Sequence, residues 1–143
     1  MEITIKSNHP DYLPNSPLIE RLIIEVFSQL NIKADEVSLL FTTDSEITSY
    51  NKRFRRREEV TDVLSFPLSG ETIEGKRNLG DIIISVDAAF RQAREAGHGF
   101  SDEITLLIIH GLLHLLGYDH QQDSGEMRRL EGELFQRLRG GSG

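Results

Sequence analysis

The chain has 143 residues, 38% of them hydrophobic and 27% charged, with no cysteine and a formal net charge of −7 at pH 7. This is the composition of a globular domain with room for one proper core. It excludes a disulfide scaffold and a generally basic nucleic-acid coat, and no apolar run approaches membrane-spanning length. Any bound metal would have to be held by histidine and carboxylate. With the opening MEITIKSNHP lacking a basic-then-apolar leader pattern, a cytoplasmic protein is expected.

Residues 3 to 6 alternate apolar and polar and read as a short strand. Prolines 10, 14 and 17 mark a loop, and Ser16-Pro17 reads as a cap followed by proline at the first helical position. Apolar residues from Leu18 to Leu30 then recur at helical spacing, which predicts a helix over 17–30. Residues 36–42 (EVSLLFT) predict a strand. Thr43 and Glu46 form a capping-box pattern that opens a helix with Ile47, Tyr50 and Phe54 on its apolar face.

The basic charge gathers at the end of that helix. Lys52, Arg53, Arg55, Arg56 and Arg57 put five positive charges into six residues, without which the chain would stand at −12. A run of this kind is often only a solvated face that complements the helix dipole. Set in an acidic protein, it is also how a polyanion could be received at one place.

Residues 61–67 (TDVLSFP) predict a strand closed by proline, hence an edge strand. Residues 69–78, with two glycines and several charges, read as a loop, and Ile82–Ile84 as a buried strand. Ser85 is expected to cap a helix over 86–96 that ends at Gly97, and His98 reads as an exposed loop residue. Ser101, backed by Asp102 and Glu103, is expected to cap the next helix, and a last helix is expected over 124–138. The whole reads as a single α+β domain over 1–139, a mixed sheet of about four strands with about five helices, followed by a flexible Gly-Gly-Ser-Gly tail at 140–143.

The densest chemistry is HGLLHLLGYDH at 110–120. His110 and His114 are one helical turn apart and project from one face. Gly117 can take positive φ, end the helix and let the chain bring His120 back to the same point. Three neutral nitrogen donors suit a divalent transition metal, zinc first, with nickel, cobalt or copper also compatible. Three protein ligands leave one position open, the pattern of a catalytic site. Asp119 reads either as an orienting carboxylate at that site or as a turn residue.

The spacing is that of the metzincin peptidases, but those place glutamate directly after the first histidine, where this chain has Gly111. Without that base the peptidase loses a contribution of roughly 10²–10⁴ in rate. A metal beside an arginine suits attack on a phosphodiester instead, and Arg55, just past a helix and ahead of TDVLSFP, is the candidate.

These residues resemble the bacterial endoribonuclease YbeY family. HGLLHLLGYDH looks like its signature, and NKRFR at 51–55, TDVLSFP at 61–67, GDIIIS at 80–85, Glu103 and the Met127…Glu131 spacing fall in its order. One segment departs from the pattern: Arg56-Arg57-Glu58-Glu59-Val60 stands where the family often has a glycine, and lysine or proline before the threonine.

The resemblance implies that His110, His114 and His120 bind zinc and that Arg55 contributes to activity. It implies single-stranded RNA as substrate, a role in ribosomal RNA processing and quality control, and the small ribosomal subunit as partner. With Lys52, Arg53, Arg56 and Arg57 as substrate-binding cations, the expectation is a zinc-dependent endoribonuclease with no membrane association. A non-catalytic, ribosome-associated zinc module and, behind it, a metallopeptidase are the competing readings.

Overall fold

Ile3 and Ile5, alternating with Thr4 and Lys6, form β1 (Glu2–Ser7). The computed structural model describes residues 1–55, 61–68, 72–73, 76–118 and 124–139, with the backbone alone at 55, 72, 73 and 76. After β1 come α1 (Ser16–Leu30), β2 (Glu36–Thr42), α2 (Asp44–Arg55), β3 (Val63–Pro67), β4 (Thr72–Ile73), β5 (Lys76–Ser85), α3 (Val86–Ala96), α4 (Phe100–Leu115) and α5 (Glu126–Leu138). The strand order is β1-β2-β5-β3, with β4 pairing the start of β5. β1, β2 and β5 run parallel and β3 antiparallel to β5, so the layout is the expected mixed sheet with five helices among the described residues.

Several local signals held. Thr43 Oγ1 accepts the Glu46 N–H at 3.2 Å and starts α2. Ser85 Oγ accepts the Ala88 N–H at 3.1 Å and starts α3. β3, closed by Pro67, lies at one end of the sheet as expected.

Two expectations need correction. The cap of α1 is Asn15, whose Oδ1 accepts the Leu18 N–H at 3.3 Å, so Ser16 already lies in the first turn. Part of the loop expected over 69–78 is β4 and the start of β5. There polar residues are tied into the sheet by their own hydrogen bonds. The Arg77 N–H donates to Asp35 Oδ2 at 2.6 Å, and Asn78 Nδ2 donates to Glu36 Oε2 at 3.0 Å. Tertiary pairing overrides a composition that looks like a turn.

The sheet has two unequal faces. Val37, Leu39, Phe41, Ile82 and Ile84 face a large core with α1, α3, α4 and α5. Their alternates Leu40, Leu64, Ile83 and Phe66 face α2 across a small cluster around the fully buried Ile47. The histidine helix α4 lies on the large-core side and packs on β3 and β5.

Candidate metal centre

Helix α4 is apolar almost all round, with Ile104, Leu107, Ile108, Ile109, Leu112 and Leu113 buried. Its start differs from expectation. The Gly99 carbonyl accepts the first helical N–H, from Glu103 at 3.2 Å, and Ser101 is inside the helix. Packing moves the boundary: Phe100 stacks on Phe90 at 4.2 Å and meets Tyr12 edge-on at 5.7 Å, which draws it into the first turn. The end is as read from the sequence. Gly117 has φ +97°, and the N–H groups of Gly117 and Tyr118 donate to the carbonyls of His114 and Leu113, both at 3.0 Å. That crossed pair is a Schellman stop.

His110 and His114 face each other on this helix. Their Nε2 atoms are 3.1 Å apart and their rings meet at 67°. Two imidazoles bound to one tetrahedral ion at about 2.0–2.1 Å would hold their nitrogens roughly 3.3 Å apart. The observed pair therefore fits a metal with little movement. Behind it, His110 Nδ1 is 2.9 Å from Glu131 Oε2 on α5, with both side chains mostly buried. A carboxylate on Nδ1 fixes the tautomer and leaves Nε2 to coordinate. Burial opposes charge on His110, but the bond to Glu131 and the negative potential of Glu131 and Asp62 outweigh it, raising its pKa above the ordinary imidazole value.

Gly111 is buried against β5. A Cβ placed there would lie 2.8 Å from Ile82 Cγ2, and the Gly111 carbonyl accepts a hydrogen bond from Ser65 Oγ at 3.0 Å. The position that carries the base in a metzincin therefore faces a fully buried isoleucine. Glycine here lets helix and sheet approach closely, and no glutamate fits without displacing the Ile82 side chain.

The remaining predicted residues are placed unevenly. Lys52 and Arg53 are exposed on the last turns of α2, and Arg55 is that helix's final residue, with its backbone alone described. Arg56, Arg57, Asp119 and His120 lie outside the described residues. Among the described residues no group of three potential ligands converges, which leaves His110 and His114 as two of the three expected donors.

Sequence reasoning missed Glu131 as a member of the site. It lies on α5, and nothing local links it to a histidine 21 positions earlier. The only trace was its spacing from Met127. His98, expected as an exposed loop residue, is half-buried with its Nε2 2.6 Å from Oε1 of the buried Glu103. Glu103 is an acid in the first turn of α4, as expected, and also the buried carboxylate that ties the α3–α4 connection to α4.

A family model described as Endoribonuclease YbeY matches residues 4–139. A Nautilia profundicola protein named Endoribonuclease YbeY is 52% identical over 103 residues, 72% of this chain and 72% of its own. One of the same name from Aquifex aeolicus is 44% identical over 123 residues, 84% of this chain and 81% of its own. The solution structure of TM1509 from Thermotoga maritima superposes with a TM-score of 0.65 at 29% identity, covering 95% of this chain and 88% of that one.

Proposed function

The chain belongs to the endoribonuclease YbeY family, and from that premise we propose that it is a zinc-dependent endoribonuclease that cuts single-stranded RNA. Its proposed setting is ribosomal RNA maturation and ribosome quality control in the cytoplasm, with the small ribosomal subunit as partner. Among the described residues no helix is long and apolar enough to cross a membrane.

The observation that carries the reading is the His110–His114 pair, with Nε2 atoms 3.1 Å apart and Glu131 behind His110. His110, His114 and His120 would hold the ion. When bound, zinc supplies Lewis-acid charge at a position left open to substrate.

The chain's own groups do the rest. Glu131 keeps His110 in one tautomer and orientation. The apolar back of α4 keeps water from behind the histidines. Arg55 is assigned the charge that builds on the equatorial phosphate oxygens. Lys52, Arg53, Arg56 and Arg57 are assigned neighbouring phosphates, and Asp119 a proton or the orientation of a ligand. Gly111 speaks against the peptidase reading, because the position of the base faces Ile82. The apolar packing of α4 speaks against a purely structural metal, since the helix does not depend on one for its core.

The test is cleavage by purified, metal-loaded protein of single-stranded RNA and of the same sequence in a duplex. The single strand should be cut and the duplex spared, with most activity lost in His114→Ala and in Arg55→Ala. Full activity in both variants, free of contaminating nuclease, would sink the proposal.

A further inference from the structure

α2 covers the second face of the sheet only in part. A cavity of about 510 Å³ opens beside it, lined by Tyr50, Phe54 and Phe66 and by strand residues that include Lys6, Leu40 and Asp81. The three rings form one row. Tyr50 and Phe54, four apart on α2, lie nearly parallel at 21° with centroids 6.0 Å apart, and Phe66 of β3 meets Phe54 edge-on at 5.7 Å. Phe54 is thus held by two neighbours and yet 57% exposed.

One exposed phenylalanine is ordinary; its setting is not. The Arg53 guanidinium lies 5.7 Å above the Phe54 ring, and in the sequence Phe54 falls within the run of five positive charges over 52–57. Phe90, of similar exposure at 49%, makes a useful contrast. Its ring is stacked on Phe100 at 4.2 Å and 17°, so one π-face is already used within the protein. Phe54 has its parallel partner, Tyr50, further off at 6.0 Å, so it is the less tightly stacked and the more exposed of the two. A ring more than half exposed, beside a cationic side chain, offers what a single-stranded nucleic acid needs, stacking for the base and charge for the phosphate.

The platform and the histidines share one strand. On β3, Leu64 and Phe66 face α2, while Ser65 between them bonds to Gly111 of the histidine helix. Arg55 ends α2, and the edge strand begins eight residues later at Val63. An RNA strand crossing the β3 edge would meet both faces.

We propose that Phe54, supported by Tyr50 and Phe66 and flanked by Arg53, is a base-stacking platform that holds a nucleotide of single-stranded RNA away from the metal centre, on the other face of β3. The proposal rests on the reading of the protein as an RNA-cleaving enzyme. Stacking on phenylalanine is tolerant of base identity, so the platform adds affinity and register rather than sequence preference.

The experiment is a direct binding measurement on the full, metal-loaded chain, using a short single-stranded oligoribonucleotide that carries 2-aminopurine, whose fluorescence is quenched on stacking. It is read at early times beside a cleavage assay. Wild type should quench the probe, and Phe54→Leu and Phe54→Ala should bind roughly 5- to 100-fold more weakly with the quench lost. Phe54→Tyr should restore both signals, and Phe90→Leu should leave both unchanged. Circular dichroism confirms that each variant is folded.

Cleavage by wild type with equal affinity and quench in Phe54→Leu would overturn the platform and leave the enzyme reading standing. Quenched binding that depends on Phe54, without any cleavage, would support the platform and overturn the enzyme reading. Binding without a quench, or an equal loss in Phe90→Leu, would overturn the platform, and absence of binding and cleavage would overturn both.

Discussion

The two faces of the sheet differ in how fully helices cover them, and the two proposals draw on that difference. On one, α1, α3, α4 and α5 close over Val37, Leu39, Phe41, Ile82 and Ile84, and the histidine pair is set into that packing. On the other, α2 covers only a cluster around Ile47, Leu64 and Ile83 and leaves Lys52, Arg53 and Phe54 exposed. A metal centre needs side chains held to within a fraction of an ångström, which dense packing provides. A flexible polyanion needs access and charge, which the thinly covered face provides. The lesson is that rigidity and reach are divided between the faces, with β3 as their common edge.

The largest effect is expected where the closed face is tightest. Gly111→Glu would drive a charged side chain into Ile82, overpacking the core and burying a carboxylate, at a cost of at least about 3 kcal/mol. Thermal denaturation should show a large fall in Tm, and Gly111→Ala should also be destabilising although alanine is the better helix former. An unchanged Tm in both would mean that position 111 does not face the strand.

Next comes Glu131→Gln, which removes the carboxylate behind His110 while keeping its shape. Metal affinity measured by competition with a chelator should drop about 10- to 100-fold with the fold intact. Unaltered affinity would show that Glu131 does not tune the histidine.

On the open face, Phe54→Leu should cost less than about 1 kcal/mol of stability, since over half of the ring faces solvent. A loss as large as at Gly111 would erase the distinction between the faces.

The smallest effect is at Asp87, on the first turn of α3. The Asp44 backbone N–H and the hydrogen bond from His9 hold its carboxyl below the ordinary carboxylate range. A carboxyl with a depressed folded pKa stabilises the protein above its unfolded pKa, about 3.9, and that part is lost as pH falls through the folded value. Because the side chain is 38% exposed, only a few tenths of a kcal/mol are expected. Asp87→Asn should lower Tm slightly at neutral pH and flatten its pH dependence below about pH 4, so that variant and wild type converge in acid. A pH profile identical to wild type would contradict the assignment.

Much of this layout was legible in the sequence because its causes are local. Thr43 and Ser85 announce their helices by hydrogen bonds three residues away, and Gly117 stops α4 through its own backbone. The facing of His110 and His114 follows from one helical turn. What was not legible depends on distant partners. Glu131 joins the site only because α5 packs on α4, and His98 is drawn in by Glu103. Arg77 and Asn78 look like loop until Asp35 and Glu36 pair with them across the sheet. Gly111 was read correctly as the absence of a base, but its positive role, close contact with Ile82, required the fold.

The proposed function makes cleavage of RNA depend on an ion that His110, His114 and His120 would hold. Its most direct measurement adds zinc stepwise to chelator-treated protein while following cleavage of a single-stranded RNA and the circular dichroism signal together. Activity should rise to a plateau at one ion per chain in wild type and stay absent in His114→Ala, with the helical signal constant throughout. Cleavage that persists without metal, or a fold that collapses when the metal is removed, would contradict the account.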